Sequence, residues 1–175
     1  PISVYLNVLH PDFETLLDSK KINADEKIRL TTLSIGAIIP DKFMELAEKN
    51  EKCYAFYPHS IYQKYGVHLD GIKMDEWYDK LANDDEIEKK EINPRELLTR
   101  IAQTQQESGY PYVVFIDSAN EQHTLKDVGM IKMSNLCCEI FQYQTPSDIK
   151  GYGQVSDWGQ DISCNLGSLN IANVM

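Results

Sequence analysis

The stretch Ser134-Asn135-Leu136-Cys137-Cys138-Glu139 gathers an amide, two thiols and a carboxyl into six residues. Side chains of an extended backbone alternate between faces, so Asn135, Cys137 and Glu139 are expected to share one face. By residue type that face holds a hydrogen-bonding group, a reactive sulfur and an acid or base. Leu136, Cys138 and Ile140 would point the other way, into packing. Spacing alone leaves a second reading open, because a cysteine among apolar neighbours is most often a small core residue. That core reading is the expected one for Cys138, and for Cys53 among Tyr54, Phe56 and Tyr57.

The fourth cysteine, Cys164, lies in DISCNLGSLNIANVM. The four cysteines form neither a CxxC pair nor a disulfide framework, and they lack the paired spacing of zinc ligands, so no metal is expected on this chain. His10, His59, His68 and His123 are scattered through loop-like sequence and receive no role. Ser134 and Ser163 could hydrogen-bond near the cysteines, although serines beside turns have many ordinary uses.

The elements that must position these groups alternate between strand and helix patterns. Val4, Leu6 and Val8 alternate as in a strand, and Pro11 and Asp12 open a helix with Phe13, Leu16 and Leu17 on one face. Leu33 to Ile39 reads as a buried strand stopped by Pro40. Asp41 is expected to cap the next helix, which buries Phe43, Met44, Leu46 and Ala47. CYAFYP gives a short strand, SIYQKYG a helical turn closed by Gly66, and MDEWYDKLAND an amphipathic helix. The acidic run NDDEIEKKEINPRE reads as solvated surface on helix faces.

The clearest helix starts at Asn93, with Pro94 in its first position, Glu96 at capping-box spacing, and Leu97, Leu98, Ile101 and Ala102 as its stripe. Gly109 ends it, and Pro111 prevents continuation. YVVFID reads as a strand buried on both faces, followed by a polar turn and the extended stretch IKMSNLCCEIFQY. Residues 145–160, rich in Gly, Ser and Asp, read as loop. There is no repeat and no interdomain linker, so residues 1–175 are expected to form one α/β segment with parallel strands and helices outside.

Composition narrows the function classes. The chain has 175 residues, 42% of them hydrophobic, and a formal charge of −10. Without a basic stripe, a nonspecific grip on DNA or RNA is not expected. No apolar run approaches the roughly 20 residues that span a bilayer, and the start PISVYLN lacks a signal peptide's basic and apolar regions. Reduced thiols and a cytoplasmic location are expected. The opening without an initiator Met and the abrupt close at SLNIANVM are expected of an internal segment of a longer chain.

KMSNLCCEI resembles the finger-loop motif of class I ribonucleotide reductase large subunits, and DISCNLGSLNIANVM resembles the segment carrying one of that family's redox cysteines. YLNVLHPDFETLLDSKKINADEKIRLTTLSIGAIIPDKFMELAEKN and QQESGYPYVVFIDSAN resemble the subclass Ib form in order and spacing. The resemblance covers nearly the whole chain, least closely at 119–130 and 145–158. It implies part of a ten-stranded α/β barrel with the finger loop through its centre, and an enzyme that reduces ribonucleoside diphosphates to deoxyribonucleotides.

Carried over by position, Cys137 is the thiyl-radical cysteine that takes the ribose 3′-hydrogen. Glu139 is the base for the 3′-hydroxyl proton, with a pKa raised by a dry surrounding. Asn135 orients the sugar hydroxyls, and residues 135–139, including Leu136 and Cys138, line the substrate. Cys164 is half of a reducing dithiol whose partner lies upstream in the family. The resemblance also implies a separate radical-generating small subunit with a dinuclear metal centre and a tyrosyl radical, and a glutaredoxin- or thioredoxin-like reductant. A homodimer and deoxynucleotide or ATP effectors belong to the full-length protein. Two rival readings stay open: a glycyl-radical barrel, for which no glycine-radical loop is seen, and a non-catalytic folding or binding segment.

Overall fold

The computed structural model describes residues 2–27 and 29–174; positions 1, 28 and 175 lie outside it. The order is β1 (Ser3–Asn7), α1 (Phe13–Asp18), β2 (Ser34–Ile39), α2 (Asp41–Lys49), β3 (Cys53–Phe56), α3 (Pro58–Tyr65) and a 3₁₀ turn, Leu69–Gly71. It continues with α4 (Met74–Ala82), β4 (Lys89–Ile92), α5 (Pro94–Ser108), β5 (Tyr112–Phe115) and α6 (Ile116–Gln122). The antiparallel pair β6 (Asp148–Gly151) and β7 (Gln154–Asp157) and the short α7 (Ile171–Val174) complete it.

A three-stranded parallel sheet, in the order β1-β2-β5, organises the site. All six residues of β2 are buried, as expected for the central strand of a parallel sheet. Ala37 and Ile39 join one core with Val8, Leu9, Phe13, Leu17, Phe43 and Ile101, so α1, α2 and α5 cover that face. Alternation along β2 turns Gly36 and Ile38 to the opposite face. There Tyr5, Gly36 and Tyr112 stand in register across the three strands.

Several helices follow their sequence signals. Asn93 caps α5 by accepting hydrogen bonds from the N–H groups of Arg95 and Glu96, each at 3.1 Å, and Pro94 holds the first turn. Gly109 ends α5 at φ 77°, a left-handed conformation that glycine takes without steric cost. Ala102, expected in the stripe, is exposed, and Thr104 is buried in its place.

Other expectations are corrected. Asp41 does not cap α2: it is the first helical residue, and its own N–H donates to Asp117 Oδ2 at 2.8 Å, so the cap comes from α6. YVVFID is not one doubly buried strand. β5 stops at Phe115, an edge residue 48% exposed, and Ile116 and Asp117 already belong to α6. The acidic run is not all helix surface, because its KKEI becomes β4, antiparallel to β3. Lys90 and Glu91 are exposed and Lys89 is half-buried, its Nζ donating to the Ala82 and Asp84 carbonyls, while Ile87 just before the strand is buried. Residues 145–160 are not all loop either. They form the β6-β7 hairpin, whose residues are largely exposed, so no apolar alternation announced it.

Among the described residues no helix is long and apolar enough to cross a membrane.

Candidate active site

The segment that carries Asn135, Cys137 and Glu139 is a turn, not a strand. Cys138 has φ 65°, in the left-handed region that non-glycine residues seldom occupy. The period-two face expected for the three residues therefore does not exist. They are brought together by a compact hydrogen-bonded loop instead. The N–H of Cys138 donates to the Asn135 carbonyl at 3.2 Å. Asn135 Oδ1 accepts from the N–H of Glu139 at 3.0 Å and of Ile140 at 3.1 Å, and Ser134 Oγ donates to the Ile140 carbonyl at 2.7 Å. An Asn side chain closing onto backbone N–H groups downstream is the usual reason a chain turns at that residue.

Three ties hold this turn on the face of the sheet away from the main core. Tyr5 on β1 donates its hydroxyl to the Asn135 carbonyl at 2.6 Å. The Cys138 thiol lies 3.8 Å from the Val113 carbonyl of β5. Asn120 on α6 accepts from the Ile131 N–H at 2.7 Å and donates to its carbonyl at 3.0 Å, fixing the entry to the segment. Burial first, and the neighbouring Cys138 thiol second, push the Tyr5 hydroxyl above its ordinary pKa, so it remains a donor.

Cys137 and Glu139 are exposed, while Asn135, Leu136 and Cys138 are half-buried. The described residues thus do not supply the dry surrounding expected around Glu139. Cys164 lies apart from this hydrogen-bonded set, exposed in the coil between β7 and α7. All four cysteines are free thiols, and Cys53 is fully buried, where burial pushes its thiol up to about 11. Tyr5, Gly36 and Asn120 were not singled out by sequence reasoning. Their partners are 11 to 130 residues away, and local spacing carries no sign of that.

A cavity of about 830 Å³ opens at the C-terminal ends of β1, β2 and β5, between Asn7, Pro40, His123 and Met133. Its lining includes Asp41, Asp75 and Asp117, whose carboxylate oxygens lie within 4.8 Å of one another. Burial, foremost, raises the Asp117 carboxyl above its ordinary range, and the neighbouring Asp75 and Asp41 add to this against the Asp41 N–H. The cavity lining does not include Asn135, Cys137 or Glu139.

The family model described as "Ribonucleotide reductase, barrel domain" matches residues 2–175. The chain is 49% identical over 173 residues to the ribonucleoside-diphosphate reductase subunit alpha of Bacillus subtilis (strain 168), covering 99% of this chain and 25% of that protein. It is 46% identical over 173 residues to the subunit alpha of Mycoplasma genitalium, again covering 99% of this chain and 24% of the relative. The subunit alpha of Synechocystis is 32% identical over 180 residues, with 22% of its length covered. The chain spans about a quarter of the length of these relatives. With nearly its full length matched in this way, the chain belongs to the ribonucleotide reductase family, within its barrel domain.

Proposed function

We propose that residues 1–175 form one segment of the catalytic barrel of a ribonucleoside-diphosphate reductase, most like subclass Ib, with Cys137 as the hydrogen-abstracting thiol. The observation that carries this reading is the 134–140 turn, which leaves the Cys137 thiol exposed between Asn135 and Glu139. Asn135 spends its Oδ1 on the turn; among the described residues its Nδ2 hydrogen-bonds to no protein group, which leaves a donor for a sugar hydroxyl.

The chemistry follows from these groups. A thiyl radical at Cys137 takes the 3′-hydrogen atom, forming S–H and a carbon radical. Glu139 accepts the 3′-hydroxyl proton, and the 2′-hydroxyl leaves as water after taking a proton from a dithiol made of Cys164 and a second cysteine of the whole subunit. That dithiol gives its other hydrogen to C2′, supplies two electrons and becomes a disulfide, and Glu139 returns its proton to the 3′-oxygen. The hydrogen then returns from Cys137 to C3′. S–H and activated C–H bonds are close in strength, so abstraction and return both proceed, and the protein's task is placement and exclusion of side reactions.

In the whole protein the radical comes from a separate metal-containing small subunit, and a glutaredoxin- or thioredoxin-like protein re-reduces the disulfide. Dimerisation, nucleotide effectors and a cytoplasmic setting belong to the same reading. No metal site on this chain is part of it: the Asp41, Asp75 and Asp117 grouping has no role here, and exposed acidic groups often cluster without an ion. The test is the full-length subunit assayed with its radical-generating partner. Cys137→Ala should abolish deoxynucleotide formation, and Glu139→Gln should lower kcat by about 10²–10⁴-fold, as for loss of a positioned acid–base group. Undiminished reduction by Cys137→Ala would sink the assignment.

A further inference from the structure

We infer that Tyr5 is a positioning residue for Cys137, acting through the Asn135 carbonyl; this rests on the reading of Cys137 as the reacting thiol. The turn needs an outside anchor. Its Cys138 sits at φ 65°, a backbone conformation that side chains disfavour, so the loop alone does not select this shape. The Asn135 carbonyl oxygen accepts two hydrogen bonds, from the Cys138 N–H at 3.2 Å and from the Tyr5 hydroxyl at 2.6 Å. The first closes the turn around Cys137. The second fixes the same oxygen to β1, 130 residues earlier in the chain.

The anchor is itself seated by a specific vacancy in the sheet. Tyr5 stands opposite Gly36 of β2, and a Cβ on Gly36 would lie 2.2 Å from the Tyr5 ring carbons. No real Cβ tolerates that approach, so any side chain at position 36 must drive the ring from its place. The absent side chain of the most buried strand thus lets the Tyr5 ring lie across the sheet and reach the turn. Cys138 adds a second tie through its thiol at the Val113 carbonyl, so the turn is held from both outer strands. Tyr5 has no direct part in the chemistry, since its hydroxyl is committed to the carbonyl and burial keeps it protonated.

The experiment uses the full-length subunit carrying Tyr5→Phe, which keeps the ring and removes only the hydroxyl. Amide hydrogen exchange of the Cys138–Ile140 peptide is read together with kcat and KM. Loss of one such bond should speed exchange there about three- to tenfold, leave exchange in β2 unchanged, and lower kcat by a similar factor or more. KM should move less than twofold. Gly36→Ala should reproduce the faster exchange, and adding Tyr5→Phe to it should change little further, because the ring has already been displaced. Unchanged exchange in Tyr5→Phe, or an unchanged kcat despite faster exchange, would overturn the inference. Failure of the underlying reading shows elsewhere, as turnover that survives Cys137→Ala.

Discussion

Asn135 acts through its two ends, and substitutions should separate them. Its Oδ1 closes the turn on Glu139 and Ile140, while among the described residues its Nδ2 hydrogen-bonds to no protein group. Asn135→Asp keeps the acceptor and loses the donor. It should preserve amide protection at Glu139 and Ile140 and lower kcat about tenfold, the scale of one lost hydrogen bond. Asn135→Ala should lose both. Equal protection in the two variants, measured by hydrogen exchange of the full-length subunit, would contradict this division. The core offers a plainer case: Phe43 is fully buried, and Phe43→Ala should destabilise the fold by about 3–5 kcal/mol, read from denaturant unfolding. At this scale the sequence marks Asn135, Cys137 and Glu139 by type and order but not how they meet. The order Asn-x-Cys-x-Glu carries the same residue types whether the chain is extended or turned. Only the Asn135 side chain bonding forward to backbone N–H groups decides for the turn, and Tyr5 is invisible to any local window.

Elements with strong local punctuation were legible, and those made by distant partners were not. Asn93, Pro94 and Gly109 bracket α5 where the sequence placed it, and Asn93→Ala should cost about 1 kcal/mol in thermal or denaturant melts. Buried strand β2 announced itself by its apolar run. By contrast, β4 carries three consecutive charged residues, and the hairpin β6-β7 is stabilised by backbone pairing with little burial, so neither shows a hydrophobic period. Helix α3 is joined to the turn after α4 at Asp84, which accepts from Lys64 Nζ at 2.7 Å, Tyr65 Oη at 2.5 Å and the Glu86 N–H at 3.0 Å. Led by the Lys64 contact, these donors hold the Asp84 carboxyl at about 2, below its ordinary 3.8. A carboxyl lowered on folding stabilises the fold above its unfolded pKa and ceases to do so as pH falls through its folded value. The melting-temperature gap between the native chain and Asp84→Asn should therefore be full near pH 5 and close between about pH 4 and 2. A gap constant over that range would show that Asp84 is not held in this way.

The whole molecule is a core with open sides. The sheet ends at β1 and β5, where Val4 is 38% and Phe115 48% exposed, and Trp158, Leu166 and Leu169 are each more than three-quarters exposed. Unpaired strand edges and scattered apolar surface favour association. The 175-residue chain should sediment as oligomers whose size grows with concentration, and a monomer at high concentration would count against this. It should also form no detectable deoxynucleotide, because Cys137 and Glu139 stand open to solvent, where a sulfur radical would be quenched. The position of β2 has a consequence for synthesis. Its first neighbour, β1, leaves the ribosome before it, but its second, β5, follows only at residue 112, and the Asp117 carboxylate that caps α2 arrives 76 residues after Asp41. Until then a growing chain carries its most buried strand with one side unpaired and its second helix uncapped. That interval is when a nascent-chain chaperone has most to hold.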